Sequence, residues 1–207
     1  MGPMVDGWTA AEVDRVQAAT SLPQGRMRLP VPMPPSPRGT LPGGQADFRG
    51  FPLTELRAIS IAEADFTGAR APDRSPGPAP FIRLDVVDVE RSVFDRAGRF
   101  HRLHGQFRAC SFRRITTQGC SLAGTFTDSD FSGANFKGAF FGARFVRCRF
   151  HDCNLHLATW AVSSFQDCEF GGAAVHPIFA DVREVALGSE RATFTVTMSR
   201  VLPGEFR

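Results

Sequence analysis

The sequence has no tyrosine, although its 207 residues include 20 phenylalanines and two tryptophans. A phenylalanine ring has no polar tip that needs a hydrogen-bond partner, so this choice suits rings packed in an apolar core. Long apolar runs are also missing, since no stretch approaches the roughly 18 residues of a transmembrane helix. Because no basic and then apolar segment opens the chain, we expect a cytoplasmic protein whose five cysteines are reduced.

Motifs for phosphate binding and hydrolysis are missing as well. The chain contains no G-x-G-x-x-G after a strand, no G-x-x-x-x-G-K-[ST], no G-x-S-x-G and no H-E-x-x-H. The spacing of serine, histidine and acidic residues suggests no catalytic arrangement. We therefore expect neither an enzyme nor a cofactor. A net charge of +3 is too small to argue for direct nucleic-acid binding.

A five-residue repeat runs through residues 46–180. Residues 46–50, 64–68, 129–133 and 134–138 each contain a small residue, a polar residue, a large apolar residue and two polar or small ones. We call the large apolar residue the centre. A period of five matches neither the helical period of about 3.6 nor the strand period of 2. It predicts a chain that turns a corner every five residues, with one large and one small side chain inward on each side.

The centres fall into groups of four, which predicts coils with four sides. Steps of five occur within a group, and steps of four occur at Leu122 to Phe126 and at Phe141 to Phe145. Successive coils should lie about 4.8 Å apart. The predicted core columns are Phe107, Phe126, Phe145 and Phe165 on the first side; Phe112, Phe131, Phe150 and Phe170 on the second; Thr117, Phe136, Leu155 and Val175 on the third; and Leu122, Phe141 and Trp160 on the fourth.

The small inward position lies two residues before each centre, and it carries all five cysteines. Their spacing follows the repeat and not a C-x-x-C metal site, so we interpret them as small buried side chains. The five are Cys110, Cys120, Cys148, Cys153 and Cys168.

The N-terminal segment, residues 1–45, lies outside the repeat. Thr9 and Glu12 have the spacing of a capping box, with Trp8 and Val13 as a hydrophobic staple, and predict a short helix to about Ala19. Residues 22–44 are rich in proline. We interpret them as a linker with polyproline II character, or alternatively as a docking peptide for a partner.

Two interruptions and a C-terminal segment complete the chain. Residues 72–80 contain too much proline for a strand and should bulge outward. Residues 99–105 are too many for their coil and predict a second excursion. Residues 181–207 should cap the open end, with a short helix at 181–187 and a strand at 192–198. A homodimer through this cap is the alternative.

The repeat units resemble the A-(D/N)-(L/F)-x-x pattern of the pentapeptide-repeat family. The resemblance implies an all-β fold, a right-handed quadrilateral β-helix, here with a short N-terminal helix and a Pro-rich arm. The best-known bacterial members bind DNA gyrase or topoisomerase IV, as acidic dimers that resemble duplex DNA. This chain differs from them, because residues 81–180 contain 12 Lys or Arg and 9 Asp or Glu.

Candidate contact residues lie at outward positions of the coils. The arginines predict either a mixed solvated surface or a basic face for an acidic partner. They are Arg108, Arg113 and Arg114 on one coil and Arg144, Arg147 and Arg149 two coils on. His101 and His104, on the second predicted excursion, could converge, whereas His151 and His156 should diverge. Two histidines alone make a weak metal site, so we predict none.

These observations favour a non-enzymatic protein–protein interaction module or scaffold with an unidentified protein partner. The first alternative is a topoisomerase (DNA gyrase)-binding protein that confers resistance to a gyrase inhibitor, which the resemblance implies. The second is a metal-binding or accessory enzyme component that uses His101 or His104.

Overall fold

The computed structural model describes residues 7–20, 30–72, 81–160 and 163–171, together with the backbone of residues 191–196. In these ranges the protein is a parallel β-solenoid of about six turns with one short helix, which confirms the predicted fold class. The elements are α1 (Ala10–Thr20), β1 (Val31–Pro32), β2 (Ala46–Asp47), β3 (Glu55–Arg57), β4 (Ile59–Ala62), β5 (Ala64–Asp65), β6 (Ile82–Glu90), β7 (Phe100–Arg108), β8 (Thr117–Thr127), β9 (Phe140–Val146), β10 (Arg149–His151), β11 (Thr159–Trp160), β12 (Ser163–Gly171) and β13 (Arg191–Val196).

Neighbouring coils are joined by parallel ladders. Strands β6, β7, β8 and β9 follow one another in the sheet, and Phe107 lies opposite Phe126. Isolated bridges continue the pairing on the second side, where Ser111 lies opposite Asp130 and Asp130 lies opposite Arg149. Each coil therefore satisfies the backbone groups of the next coil, about 19 residues later along the chain.

Phenylalanine rings fill the inside of the solenoid in stacked columns. On the second side, successive rings are 4.9–5.2 Å apart between centroids and within 12° of parallel. That column contains Phe48, Phe66, Phe94, Phe112, Phe131, Phe150 and Phe170. The first side has a second column with spacings of 4.6–5.1 Å. All eleven aromatic residues predicted for the core are at most 4% exposed.

The predicted excursion at residues 99–105 is wrong. Residues 100–105 form the first part of β7, which pairs in parallel with β6 and β8. Phe100 and Leu103 are fully buried, and Leu103 lies opposite Leu122 in the fourth column. The pattern was misleading because the inward residues Phe94, Phe100, Leu103 and Phe107 are separated by steps of six, three and four instead of five.

The predicted N-terminal helix is confirmed, and it closes one end of the core. Glu12 accepts a hydrogen bond from the Thr9 backbone N–H at 2.8 Å, and the Glu12 N–H donates to Thr9 Oγ1 at 3.3 Å. The Trp8 ring stacks on Phe48 with centroids 6.2 Å apart, and Val16 is also buried. Within the described ranges, no helix has the length and hydrophobicity needed to span a membrane.

Part of the Pro-rich segment is a strand, so the linker interpretation is wrong for residues 31–33. Val31 donates its N–H to Ala58 O at 2.9 Å, and Met33 donates to Ser60 O at 2.8 Å. Pro32, which has no N–H, occupies the intervening position, where a strand residue's N–H points away from its neighbour. The alternation of proline with apolar residues thus suits an edge strand on the first coil.

The predicted bulge at residues 72–80 lies in an unusually long coil. Leu56 is opposite Leu84, 28 residues later, whereas Val89 is opposite Phe107, 18 residues later. The coil that contains residues 72–80 therefore has ten residues more than the next one. Residues 73–80 themselves lie outside the described ranges.

The C-terminal strand prediction is confirmed by β13, which pairs antiparallel with β12. Phe165 lies opposite Phe194 in this ladder. The backbone of β13 thus covers the edge of β12, as a cap should. The helix expected at residues 181–187 lies outside the described residues, and the dimer contact stays a prediction.

The five thiols should be unreactive in the folded protein. All five cysteines are buried and free, and burial raises the pKa of Cys110 to about 11 and that of Cys153 to about 12. A hydrogen bond with Cys148 lowers the pKa of Cys168, so that thiol is protected by its burial alone. At about pH 8, we expect a thiol reagent to modify them at least about a hundredfold more slowly than in guanidinium chloride. An Arg57→Cys variant supplies an exposed thiol as the positive control. Rapid modification of a native cysteine would contradict the inward assignment.

Candidate interaction surface

The second side of the solenoid carries a line of charges across five coils, here called the charged face: Asp95, Arg113, Asp130, Arg149 and Glu169. These residues directly precede or follow the centres of the phenylalanine column, so their side chains point outward. Arg113 Nε lies 2.7 Å from Asp130 Oδ2, and Arg149 Nε lies 3.0 Å from Glu169 Oε2. Arg149 Nη1 is also 3.7 Å from Asp130 Oδ2. The ion pairs therefore connect successive coils.

Asp130 is a largely enclosed carboxylate of this face, with its side chain 15% exposed. Burial would raise its pKa, but hydrogen bonds from Ser132 and Arg113 outweigh burial, so the pKa of Asp130 is held below its usual value. Ser132 donates to Asp130 Oδ1 through its hydroxyl at 2.6 Å and through its backbone N–H at 2.9 Å. The carboxylate thus fixes both the corner and the neighbouring guanidinium.

The other predicted arginines are also paired with neighbouring coils. Arg108 Nη2 lies 2.7 Å from Asp88 Oδ1, and Arg147 contacts both carboxylate oxygens of Asp128, at 2.6 and 2.8 Å. Arg144 donates to Gln166 Oε1 at 3.2 Å. The sequence left open whether these arginines form a mixed solvated surface or a basic face for an acidic partner. The contacts of Arg108, Arg144 and Arg147 correspond to the mixed surface.

Arg114 differs from these residues, because it lines a groove beside the charged face. The groove has a volume of about 400 Å³. Its walls are Asp95, Arg96, Arg113, Arg114, Ser132, Gly133 and Asp152. Arg96 and Arg114 are exposed and stand on adjacent coils. Within the described part of the chain, neither guanidinium has an ion-pair partner.

The backbone of Arg96 and Arg114 is in a conformation that favours glycine. Their φ angles are +56° and +54°, at the corner that follows the second side. The same corner is occupied by Gly50, Gly68, Gly133 and Asp152 on other coils, all with positive φ. Gly133 also leaves room for Arg114, since a Cβ at position 133 would lie 3.1 Å from Arg114 Cγ.

The two histidines assigned to the excursion do not converge on a metal site. Both lie on β7, where the His101 ring contacts Phe81 with centroids 5.2 Å apart. His104 Nε2 lies 2.9 Å from Ser121 Oγ, and its Nδ1 lies 3.5 Å from Asp85 Oδ1. Among the described residues, no group of three or more potential ligands could hold a metal ion.

The contact of His104 with Ser121 and Asp85 is a feature that the sequence analysis missed. These residues are brought together by the register of β6, β7 and β8. Treating residues 99–105 as an excursion removed His104 from the coils and hid its neighbours. If Leu103 is counted as a centre of the fourth column, it stacks on Leu84. The residues that directly follow these two centres, Asp85 and His104, are then neighbours on adjacent coils.

No protein-family model matches the sequence, and no curated protein matches it.

Proposed function

We propose that this protein is a pentapeptide-repeat scaffold whose protein partner inserts a carboxylate between Arg96 and Arg114. The observation that carries the proposal is the pair of exposed arginines at a corner whose backbone favours glycine. The surrounding charged face supports it as the wider contact area.

Placing arginine at this corner costs stability. A non-glycine residue in the left-handed region costs roughly 1–2 kcal/mol, and two like charges on adjacent coils repel each other. Neither guanidinium has an ion pair in the described coils, although Asp95 and Asp152 line the same groove. Eleven other non-glycine residues of the described chain also have a positive φ, so what distinguishes this corner is the pair of like charges on adjacent coils. A carboxylate accepts two parallel hydrogen bonds from a guanidinium, which makes an acidic side chain the best match.

The charged face beside the groove supports a specific contact. Arg113 and Arg149 are 56% and 50% exposed, and exposed ion pairs contribute little to stability. Such pairs are held in position by the coils, so a partner of complementary pattern meets an ordered surface. Complementary charges of this kind mainly determine partner choice and association rate.

The test replaces both arginines with glycine, the residue that three other coils have at this corner. We expect the double variant Arg96→Gly and Arg114→Gly to melt at the same temperature as the parent or higher, because the strain is removed. It should recover at least about tenfold less partner from an extract of the source cells, after cross-linking and quantitative mass spectrometry. The control double variant Arg57→Gln and Arg83→Gln removes the same charge on the fourth side and should recover the partner fully.

Two outcomes would overturn the proposal. One is equal recovery by the glycine variant and the control, and the other is no protein recovered above background by the parent. The topoisomerase alternative is tested separately with purified DNA gyrase. Rescue of supercoiling in the presence of a gyrase inhibitor, with equal effect from the glycine variant, would favour a DNA-mimicking role in place of the one proposed.

A further inference from the structure

Three polar side chains form a line across the fourth side of the solenoid. Ser121 Oγ lies 2.9 Å from His104 Nε2, and His104 Nδ1 lies 3.5 Å from Asp85 Oδ1. The serine, the histidine and the acid belong to β8, β7 and β6, so each comes from a different coil. This order of contacts, hydroxyl to imidazole to carboxylate, is the arrangement that activates a serine nucleophile.

The parallel register produces this arrangement. Asp85 lies directly opposite His104, and Ser121 lies opposite Arg102, two residues before His104 on the same strand. Asp85 and His104 each follow an inward leucine, and Ser121 precedes one, so all three side chains point outward. Rigid strands thus hold the group in place, which is a better support than a loop.

The surroundings of His104 suit a general base. The carboxylate beside Nδ1 favours the tautomer with a proton on that nitrogen, which leaves Nε2 free to accept the serine proton. Burial and the nearby Arg102 lower the pKa of His104, while Asp85 opposes this change. The ring is therefore neutral and able to accept a proton at neutral pH.

Ser121 has an arginine as its partner on one neighbouring strand and an exposed aromatic residue as its partner on the other. Arg102 is its partner on β7, and its Nη1 lies 3.4 Å from Asp85 Oδ2. Phe140 is its partner on β9, and this ring is 45% exposed. The guanidinium therefore helps to hold Asp85, and the Phe140 ring offers a surface beside Ser121 for an apolar acyl group.

We propose that Ser121 is an acyl-accepting nucleophile that hydrolyses esters of apolar or aromatic carboxylic acids. Ser121 Oγ attacks the ester carbonyl carbon while its proton passes to His104 Nε2. The bond to the leaving alcohol oxygen then breaks, and that oxygen takes the proton from His104. Water, deprotonated by the same nitrogen, releases the carboxylic acid and restores the serine. Asp85 is a positioning residue in this scheme, because it acts through the histidine. The activity is independent of the Arg96 and Arg114 groove.

The direct test is covalent labelling of the full-length protein with a fluorophosphonate, which bonds to an activated serine and releases fluoride. Intact-mass measurement should show one adduct per chain, and peptide mapping should place it on Ser121. Ser121→Ala should abolish labelling, and His104→Gln should slow it at least about a hundredfold, the usual loss for a general base. Ser60→Ala is the control, since Ser60 lies on β4, is partly exposed, and belongs neither to this group nor to the groove.

The role of Asp85 is tested by the pH dependence of p-nitrophenyl ester hydrolysis. In the described chain, the charged groups that face His104 are Asp85 on β6 and Arg102 on its own strand, while β8 offers the uncharged Ser121. Asp85→Asn removes the charge that stabilises the imidazolium, so the midpoint of the rate profile should move to lower pH. An unlabelled parent protein, an adduct on another serine, or equal labelling of His104→Gln would each overturn the proposal.

Discussion

Phe131→Asp is expected to prevent the protein from folding at room temperature. Phe131 is fully buried in the middle of the second-side column, 5.1 Å from the rings of both Phe112 and Phe150. Its edge also contacts Phe126 and Phe145. The substitution therefore removes ring contacts with three coils and places a carboxylate where no polar partner is available.

The size of this effect follows from two costs. Removing a buried phenylalanine side chain costs about 3–5 kcal/mol, and burying an unpaired polar group adds several more. Typical domains are stable by only about 5–15 kcal/mol. Circular dichroism should show loss of the β-sheet signal and of a cooperative thermal transition.

Phe140→Asp provides the matched control for this prediction. Phe140 lies in β9 of the same coil as Phe131, but its ring is 45% exposed. The same chemical change there should alter the free energy of unfolding by no more than about 0.5 kcal/mol. Equal melting temperatures for the two variants would mean that the inward and outward positions are assigned incorrectly.

Gly124→Ala is expected to destabilise the protein by more than about 3 kcal/mol, well above the usual effect of one added methyl group. A Cβ at position 124 would lie 2.0 Å from the backbone oxygen of Gly105 on the preceding coil. A Cβ at position 105 would in turn lie 2.1 Å from Val87 O. Backbone atoms cannot move aside as a flexible side chain could, so the alanine must force β7 and β8 apart.

Gly138→Ala separates this clash from backbone strain alone. Gly138 has a φ of +67°, and a Cβ there would meet no atom within 4 Å. Its replacement should cost only about 1–2 kcal/mol, the penalty of the left-handed conformation. Urea denaturation of both variants measures the difference. Similar midpoints for the two would contradict the close approach of the coils at Gly124.

The five-residue step was enough to predict the core from Phe107 to Phe170, and the last predicted centre, Val175, lies outside the described residues. Each step moves the chain to the next side, so the residue that follows four steps stacks on the first, as Phe107 does on Phe126. The same rule failed between Phe94 and Phe107, where the steps change. There, only the ladders of β7 with its neighbours reveal that Phe100 and Leu103 are inward.

At the N-terminal end, the proline content predicted the structure less well than the alternation of proline with apolar residues. The proline content of residues 22–44 suggested a linker, yet Val31 and Met33 form backbone hydrogen bonds with the first coil. The docking of Trp8 on Phe48 was also missed, because a capping box predicts that a helix starts and not what it packs against.

The candidate sites depend on contacts between coils, and a residue pattern along one coil does not reveal them. Arg96 and Arg114 are 18 positions apart, and they become a pair only when the register places both at one corner. Ser121 on β8 contacts His104 diagonally, because its direct partner on β7 is Arg102. A correct assignment of the coils would therefore have predicted that Ser121 and His104 are close, but not that they form a hydrogen bond.

The parallel stacking of coils is tested most directly by nuclear magnetic resonance couplings across backbone hydrogen bonds. The structure predicts that Phe112 N couples to the carbonyl carbon of Asp130, and that Phe131 N couples to that of Arg149. These partners lie one full coil ahead in the sequence. Couplings to carbonyls about four residues earlier, or to an antiparallel neighbour across a short turn, would contradict the solenoid.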